Sequence, residues 1–224
     1  MAEQVPFGSA LVELASNPEP RCPCVLLLDT SGSMAGAPIA ALNAGLQAFQ
    51  SELQSDSLAA QRVEVALVTF GGQVTVVQDF ISAQSFQAPT LTTAGDTPMG
   101  AALLRSLELV NERKRAYKQA GLHYFRPWII LITDGGPTDE WQTAAQKIKE
   151  GEAAKLFAAF GIGVVGANFE KLRQMTTREP LPLDGYKFKE FFVWLSQSMR
   201  SVSQSKPGEE GNVALPSPKG WANL

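Results

Sequence analysis

Cysteine and histidine are nearly missing from this 224-residue chain: Cys22 and Cys24 are its two cysteines and His123 its one histidine. Two cysteines are too few for a disulfide framework or a tetrahedral zinc site, so both are expected to be reduced, at least one packed as a small apolar side chain. A Ser-His-Asp triad would have to recruit His123, which lies between Leu122 and Tyr124 with no nucleophile elbow in sight. Charge of one sign is also lacking. With 19 Lys and Arg against 22 Asp and Glu the formal net charge is −3, and the cluster Arg113-Lys114-Arg115 is confined to one segment, so no nucleic-acid partner is expected. No stretch approaches the ~18 apolar residues of a membrane span. Met1-Ala2-Glu3-Gln4 has neither the basic start nor the apolar core of a secretory signal, so the expectation is a cytoplasmic protein without membrane contact. A Gly-x-x-x-x-Gly-Lys-Ser/Thr loop is missing, which disfavours a P-loop nucleotidase, and there is no internal repeat.

What is there is ordinary globular composition, 45% hydrophobic and 18% charged, in a length that suits one domain with a sizeable core. Val25-Leu26-Leu27-Leu28 is a short apolar run of the kind buried on both faces of a parallel sheet. Directly behind it, Asp29-Thr30-Ser31-Gly32-Ser33-Met34 offers one carboxylate and two hydroxyls at i, i+2 and i+4, oxygen donors suited to a hard cation such as Mg²⁺. Gly32 lets the backbone turn tightly enough for alternate side chains to converge. Taken alone, the same residues also describe a helix N-cap cluster. Two further segments carry the same chemistry. Gly95-Asp96-Thr97-Pro98-Met99-Gly100 precedes a long amphipathic stretch, and Trp128 to Thr133 is a second apolar strand running into Asp134-Gly135-Gly136-Pro137-Thr138-Asp139. Thr97 could equally be an N-cap and Asp134-Gly135-Gly136 an ordinary turn, while Asp139 reads as a helix cap or first-turn acid with no metal role.

Between these segments strands and helices alternate. Ile39, Leu42, Leu46, Phe49 and Leu53 repeat at helical spacing behind Pro38. Val63 to Phe70 and Val74 to Val77 read as a hairpin around Gly71-Gly72-Gln73, giving an antiparallel edge strand. A helix is expected from Pro98 to about Gln119, ended by Gly121, then helices over about 140–155, 169–175 and 188–202, with a strand from Leu156 to Val165 and an apolar piece near 181–183. The pattern predicts an α/β fold: a doubly wound, mainly parallel sheet with helices on both faces and right-handed crossovers. Ligands bind such sheets beyond the carboxyl ends of the strands where the strand order reverses, and Asp29 and Asp134 both fall at strand ends. Residues 1–21 are Pro-rich and read as an N-terminal arm, with Phe7 to Leu14 able to add a short edge strand; 22–203 form the domain; the polar, Pro/Gly-rich start of 204–224 reads as a flexible tail.

Asp-x-Ser-x-Ser at 29–33, a distant Thr97 and a later Thr133-Asp134-Gly135 together resemble the metal-ion-dependent adhesion site of the von Willebrand factor type A (VWA) family, and the order of strands and helices from Cys22 to about Arg200 agrees. Within that family the run Leu-Leu-Leu-Asp-Thr-Ser-Gly-Ser-Met is similar to the bacterial TerY-like branch, associated with tellurite resistance and stress responses. The resemblance implies a divalent cation, Mg²⁺ with Mn²⁺ or Ca²⁺ as alternatives. Its ligand set would be Asp29, Ser31, Ser33, Thr97 and Asp134, with the serine hydroxyls bound directly, the two aspartates acting mainly through water, and Thr97 binding either way according to conformational state. It implies an adaptor that engages an Asp or Glu of a partner protein, alongside a kinase and phosphatase system in the TerY-like setting. Asp96 departs from the commoner glycine before the threonine and reads as an additional ligand or as a helix cap. The competing reading is a Mg²⁺-dependent phosphohydrolase using Asp29. It is disfavoured because no lysine accompanies the motifs, and because Ser31 stands where a haloacid-dehalogenase-like enzyme would want a second aspartate.

Overall fold

The computed structural model describes Leu14 and residues 16–223. Apart from Leu14, which is buried, the segment expected to form an edge strand or arm from Phe7 onward lies outside the described residues. Six strands form one sheet: β1 (Cys22–Asp29), β2 (Val63–Gly71), β3 (Gln73–Ser82), β4 (Trp128–Thr133), β5 (Ala158–Gly163) and β6 (Leu181–Pro182), in the order β3-β2-β1-β4-β5-β6. All neighbours are parallel except β2 and β3, the hairpin, whose ladder carries register shifts between Val65 and Val68. Among the described residues from Arg21 onward the α-helices are α1 (Ala37–Gln54), α2 (Ser57–Arg62), α3 (Met99–Gln119), α4 (Gln142–Ala153), α5 (Phe169–Met175) and α6 (Phe188–Ser203). No helix among the described residues is long and apolar enough to cross a membrane.

The period-2 geometry of a strand sorts β1 between two cores. Cys24, Leu26 and Leu28 face a cluster that includes Leu42, Leu46 and Phe49 of α1 and Phe188, Phe192 and Leu195 of α6. Val25 and Leu27 face the other cluster, with Met99, Leu103 and Val110 of α3, Ile148 of α4 and Leu172 of α5. Helices α1 and α6 approach so closely that a Cβ on Gly45 would lie 2.7 Å from the Phe192 ring. Gly121, at φ +68°, ends the chain turn behind α3 as its position after the last periodic residue predicts.

Residues 204–223, expected from composition to be a flexible tail, run back over α6. Trp194 Nε1 donates to the Pro216 carbonyl at 2.7 Å, and Trp221 is buried with its ring 5.1 Å from that of Trp194 and 5.0 Å from that of Phe191. One aromatic anchor behind a polar run outweighs the composition of the run, because burying an indole removes a large apolar area from water.

At the amino end of the sheet a charged cluster is buried. Glu64 of β2 accepts from Arg21 Nε (3.0 Å) on one oxygen and from Arg113 Nε (2.7 Å) and the Tyr117 hydroxyl on the other. Burial alone would lower the Arg113 pKa, but the Glu64 carboxylate beside it raises it above the ordinary value; burial and the same carboxylate hold the Tyr117 phenol protonated. Arg21 also donates to backbone carbonyls of Asn17 and Glu19, so Glu64 anchors the chain entering β1.

Candidate metal centre

The three motif segments meet at the carboxyl ends of β1 and β4, on either side of the point where the strand order reverses. Behind β1 the chain folds at once into a 3-10 turn, Gly32–Met34, closed by Met34 N–H donating to Ser31 O at 3.0 Å. Asp29 is fully buried and both its carboxylate oxygens are taken: Oδ1 accepts from Ser31 N–H at 2.9 Å and Oδ2 from the Thr133 hydroxyl at 2.5 Å. Burial pushes its carboxyl pKa up, those hydrogen bonds oppose the rise, and the charge of Asp134 adds to it. The turn presents Ser31 Oγ and Ser33 Oγ 3.0 Å apart, and Ser33 Oγ donates to Asp134 Oδ1 at 2.8 Å.

The segment 94–97 closes over this turn. Ala94 N–H donates to Thr30 O (2.8 Å) and Gly32 N–H to Gly95 O (2.9 Å). Gly95 adopts φ +60° and lies so near Gly72 that a Cβ there would come within 2.4 Å of the Gly72 Cα, a conformation and an approach that only glycine permits. Thr97 is buried, with its Oγ1 4.0 Å from where a Cβ on Gly135 would stand. The five residues proposed from the motifs, Asp29, Ser31, Ser33, Thr97 and Asp134, are thus gathered around the same three turns.

The arrangement fits a hard cation on two grounds. Ser31 Oγ, Ser33 Oγ and Asp134 Oδ1 are hard oxygen donors gathered in one hydrogen-bonded chain, 3.0 Å and 2.8 Å apart. Two buried carboxylates, Asp29 and Asp134, also share the site with no ion pair to either among the described residues. The donors are hydroxyls and two carboxylates; no group of three or more His, Cys, Asp or Glu gathers among the described residues.

Sequence reasoning gave no role to three neighbours of the site, Thr133, Thr138 and Lys171. Thr133 ties Asp29 to the β4 loop, its oxygen also accepting from Gly135 N–H at 3.1 Å; the Thr-Asp-Gly motif contained it but gave it no task. Thr138 and Asp139 bond to the segment around Thr97, and Asp139 is a helix cap as expected, but of α3 rather than of the helix that follows it. Asp96 is exposed, its Oδ2 3.4 Å from the Thr138 hydroxyl that points to it. The expectation that no lysine accompanies the motifs holds along the chain but not in space: Lys171 of α5 places Nζ 3.8 Å from where a Cβ on Gly136 would stand.

The von Willebrand factor type A domain family model matches residues 24–192 of the chain. No curated protein sequence matches it. Among solved structures it is similar to the pilus adhesin SpaC from Lactobacillus rhamnosus GG in an open conformation, with TM-score 0.66 and 15% identity over 82% of this chain and 31% of that one. It is similar to proximal thread matrix protein 1 from the mussel byssus with a zinc-occupied MIDAS motif, with TM-score 0.55 and 15% identity over 82% and 49%. Manganese-loaded TRAP protein of Plasmodium vivax gives TM-score 0.52 and 26% identity over 71% and 64%. The chain spans less than two thirds of the length of each of these structures, and the likeness to the adhesin and the thread protein is one of fold.

Proposed function

The chain belongs to the von Willebrand factor type A family, and from that premise we propose that it is a metal-dependent adaptor whose site is Asp29, Ser31, Ser33, Thr97 and Asp134. The observation that carries this reading is the pair of buried carboxylates lacking any ion-pair partner among the described residues, set beside the Ser31 and Ser33 hydroxyls that run in series to Asp134. Mg²⁺ is the cation proposed, with Mn²⁺ or Ca²⁺ as alternatives; it would supply a Lewis-acidic position able to take an incoming carboxylate. The Ser31 and Ser33 hydroxyls would hold the cation directly. Asp29, with both oxygens engaged by Ser31 N–H and the Thr133 hydroxyl, orients the turn and contributes charge from behind. The partner is a protein presenting Asp or Glu, and the Lys171 ammonium at the rim favours an acidic approach.

Adaptor is preferred to phosphohydrolase because Asp29 is fully buried, with each carboxylate oxygen turned to a donor of the protein rather than to an approaching phosphoryl group. Lys171 is the feature that would favour the enzyme, so the distinction rests on Asp29. The TerY-like resemblance of residues 26–34 supports a role in bacterial stress or tellurite resistance beside a kinase and phosphatase system. Free, buried Cys22 and Cys24 agree with a reducing cytoplasm. The proposed domain is 22–203, with 1–21 as an arm and a C-terminal segment from 204 that Trp221 holds against α6. The deciding experiment is calorimetry with Mg²⁺ and Mn²⁺ on the wild type and on Asp29→Ala, followed by affinity capture with and without chelator. One principal site lost in the variant, chelator-sensitive capture and background phosphatase activity are expected. Equal metal binding by both proteins, or turnover abolished by Asp29→Asn, would overturn the reading.

A further inference from the structure

The first turn of α3 has no cap of its own. Pro98 stands at its N-cap position without a side-chain hydrogen bond and the turn contains no acid, which leaves its amide hydrogens seeking an acceptor. Asp139, from the loop between β4 and α4, supplies it across the site: Gly100 N–H donates to Oδ1 at 2.9 Å and Ala101 N–H to Oδ2 at 2.8 Å. The residue before it repeats the attachment one step upstream. Thr138 N–H donates to Thr97 O at 3.0 Å, Thr97 N–H donates to Thr138 Oγ1 at 3.1 Å, and that hydroxyl points to Asp96 Oδ2 at 3.4 Å. The two backbones touch, since a Cβ on Gly100 would stand 2.1 Å from Glu140 O. A carboxylate on two amides at a helix N-terminus is a charge-assisted contact favoured by the helix dipole.

Resting on the metal centre proposed above, we infer that Thr138 and Asp139 are positioning residues that clasp Thr97 to the loop carrying Asp134, so that these two metal-site side chains move as one body. The turn bearing Asp29, Ser31 and Ser33 is joined to the same segment one step earlier, through Gly95 and Ala94. Between the Gly95 attachment and the Thr97 attachment stands Asp96, next to Gly95 at φ +60° and held in turn by Gly72 N–H, which donates to its carbonyl at 2.8 Å. The two halves also meet directly, the Thr133 hydroxyl donating to Asp29 Oδ2 and Ser33 Oγ to Asp134 Oδ1, whereas Asp139 acts on the metal through Thr97 rather than by touching it.

The test is a double-mutant cycle on the full chain with Mn²⁺ alone as the probe: wild type, Thr97→Ala, Asp139→Ala and the double variant, titrated by calorimetry. Losing a residue that orients a ligand weakens metal affinity by about 10-fold to 100-fold, so Asp139→Ala is expected to bind about tenfold more weakly. The double variant should bind no more weakly than Thr97→Ala, because the clasp has nothing left to position. Asp139→Asn, which keeps one acceptor oxygen, should recover part of the affinity. Should Asp139→Ala fail to fold, Thr138→Val enters the same cycle with the same expectation. An unchanged affinity in Asp139→Ala, an affinity restored by nothing short of Asp, or single effects that simply multiply would overturn the clasp while leaving the metal centre standing. A wild type that takes up no Mn²⁺ would overturn both.

Discussion

The two ends of the sheet hold polar clusters of opposite design. At the amino end one carboxylate, Glu64, is shared by two guanidinium groups and a phenol, so each charge has an opposite charge beside it, although Arg113 Nη2 is buried without a hydrogen bond. At the carboxyl end two carboxylates, Asp29 and Asp134, meet hydroxyls and amides but no ion-pairing side chain among the described residues. A buried charge is tolerated when it is paired and hydrogen-bonded. In the first cluster every charge has an opposite charge beside it, two guanidinium groups sharing one carboxylate, and it holds the fold; the second is hydrogen-bonded with no opposite charge among the described residues, the setting that suits a cation. Sequence alone makes both look like isolated acids at strand ends; only the partners separate a structural charge from a ligating one.

Removing the complement at the amino end should have the largest effect. Glu64→Gln leaves Arg21 and Arg113 buried without a counter-charge and is expected to cost about 3–5 kcal/mol in urea unfolding, while the folded fraction keeps wild-type Mn²⁺ affinity. A loss of metal affinity there would break the division between the two ends. Next comes the site itself. In chelator Asp29→Asn should differ from wild type by no more than about 1 kcal/mol, since it removes an uncompensated buried charge and keeps an acceptor. With Mn²⁺ at a hundred times its Kd the wild type should gain about 2.7 kcal/mol and Asp29→Asn nothing.

A third carboxylate calibrates the scale between them. Asp56 caps α2 through Leu58 and Ala59 N–H and pairs with Arg200; the Ala59 amide first, with the Arg200 charge assisting, holds its carboxyl below the ordinary range. A depressed folded pKa means that the contribution is full above the unfolded value of about 3.9 and is lost as pH falls through the lower folded value. Asp56→Ala should therefore cost about 1 kcal/mol at neutral pH, and the difference from wild type should vanish in acid below that window. The smallest effect belongs to the rim: Lys171→Ala should tighten Mn²⁺ binding by about 0.5 kcal/mol or less at low salt, and salt should erase the gain.

Much of the fold was legible because it is local. β4 and α5 occupy the residues that apolar periodicity assigns, 128–133 and 169–175, and the order of strands and helices follows. β1 begins earlier than its apolar run because Cys22-Pro23-Cys24 joins it. β4 pairs with β1 only from Cys24 onward, so Pro23 sits where the strand has a neighbour on one side. The short α2 was missed because six residues cannot display a helical period. In the site, the spacing at 29–33 and the paired strand ends were visible, since both are encoded within a few residues. The Glu64 cluster, the trans cap by Asp139 and the approach of Lys171 were not, because each joins residues distant in sequence whose types alone are unremarkable on a surface helix or loop.

The sheltered thiols make the protein convenient to instrument. Cys22 and Cys24 are fully buried, burial pushing the Cys22 pKa up to about 12 and that of Cys24 well above its usual value, so neither offers a thiolate to a maleimide at neutral pH. Val165, 61% exposed, lies just beyond β5 and next to Gly166, where a Cβ would stand 3.1 Å from Asp134 O. A Val165→Cys variant thus accepts a single spin label or fluorophore beside the metal loops without any need to remove the native cysteines. Partner docking then becomes a spectroscopic signal read from one labelled position in an otherwise silent molecule.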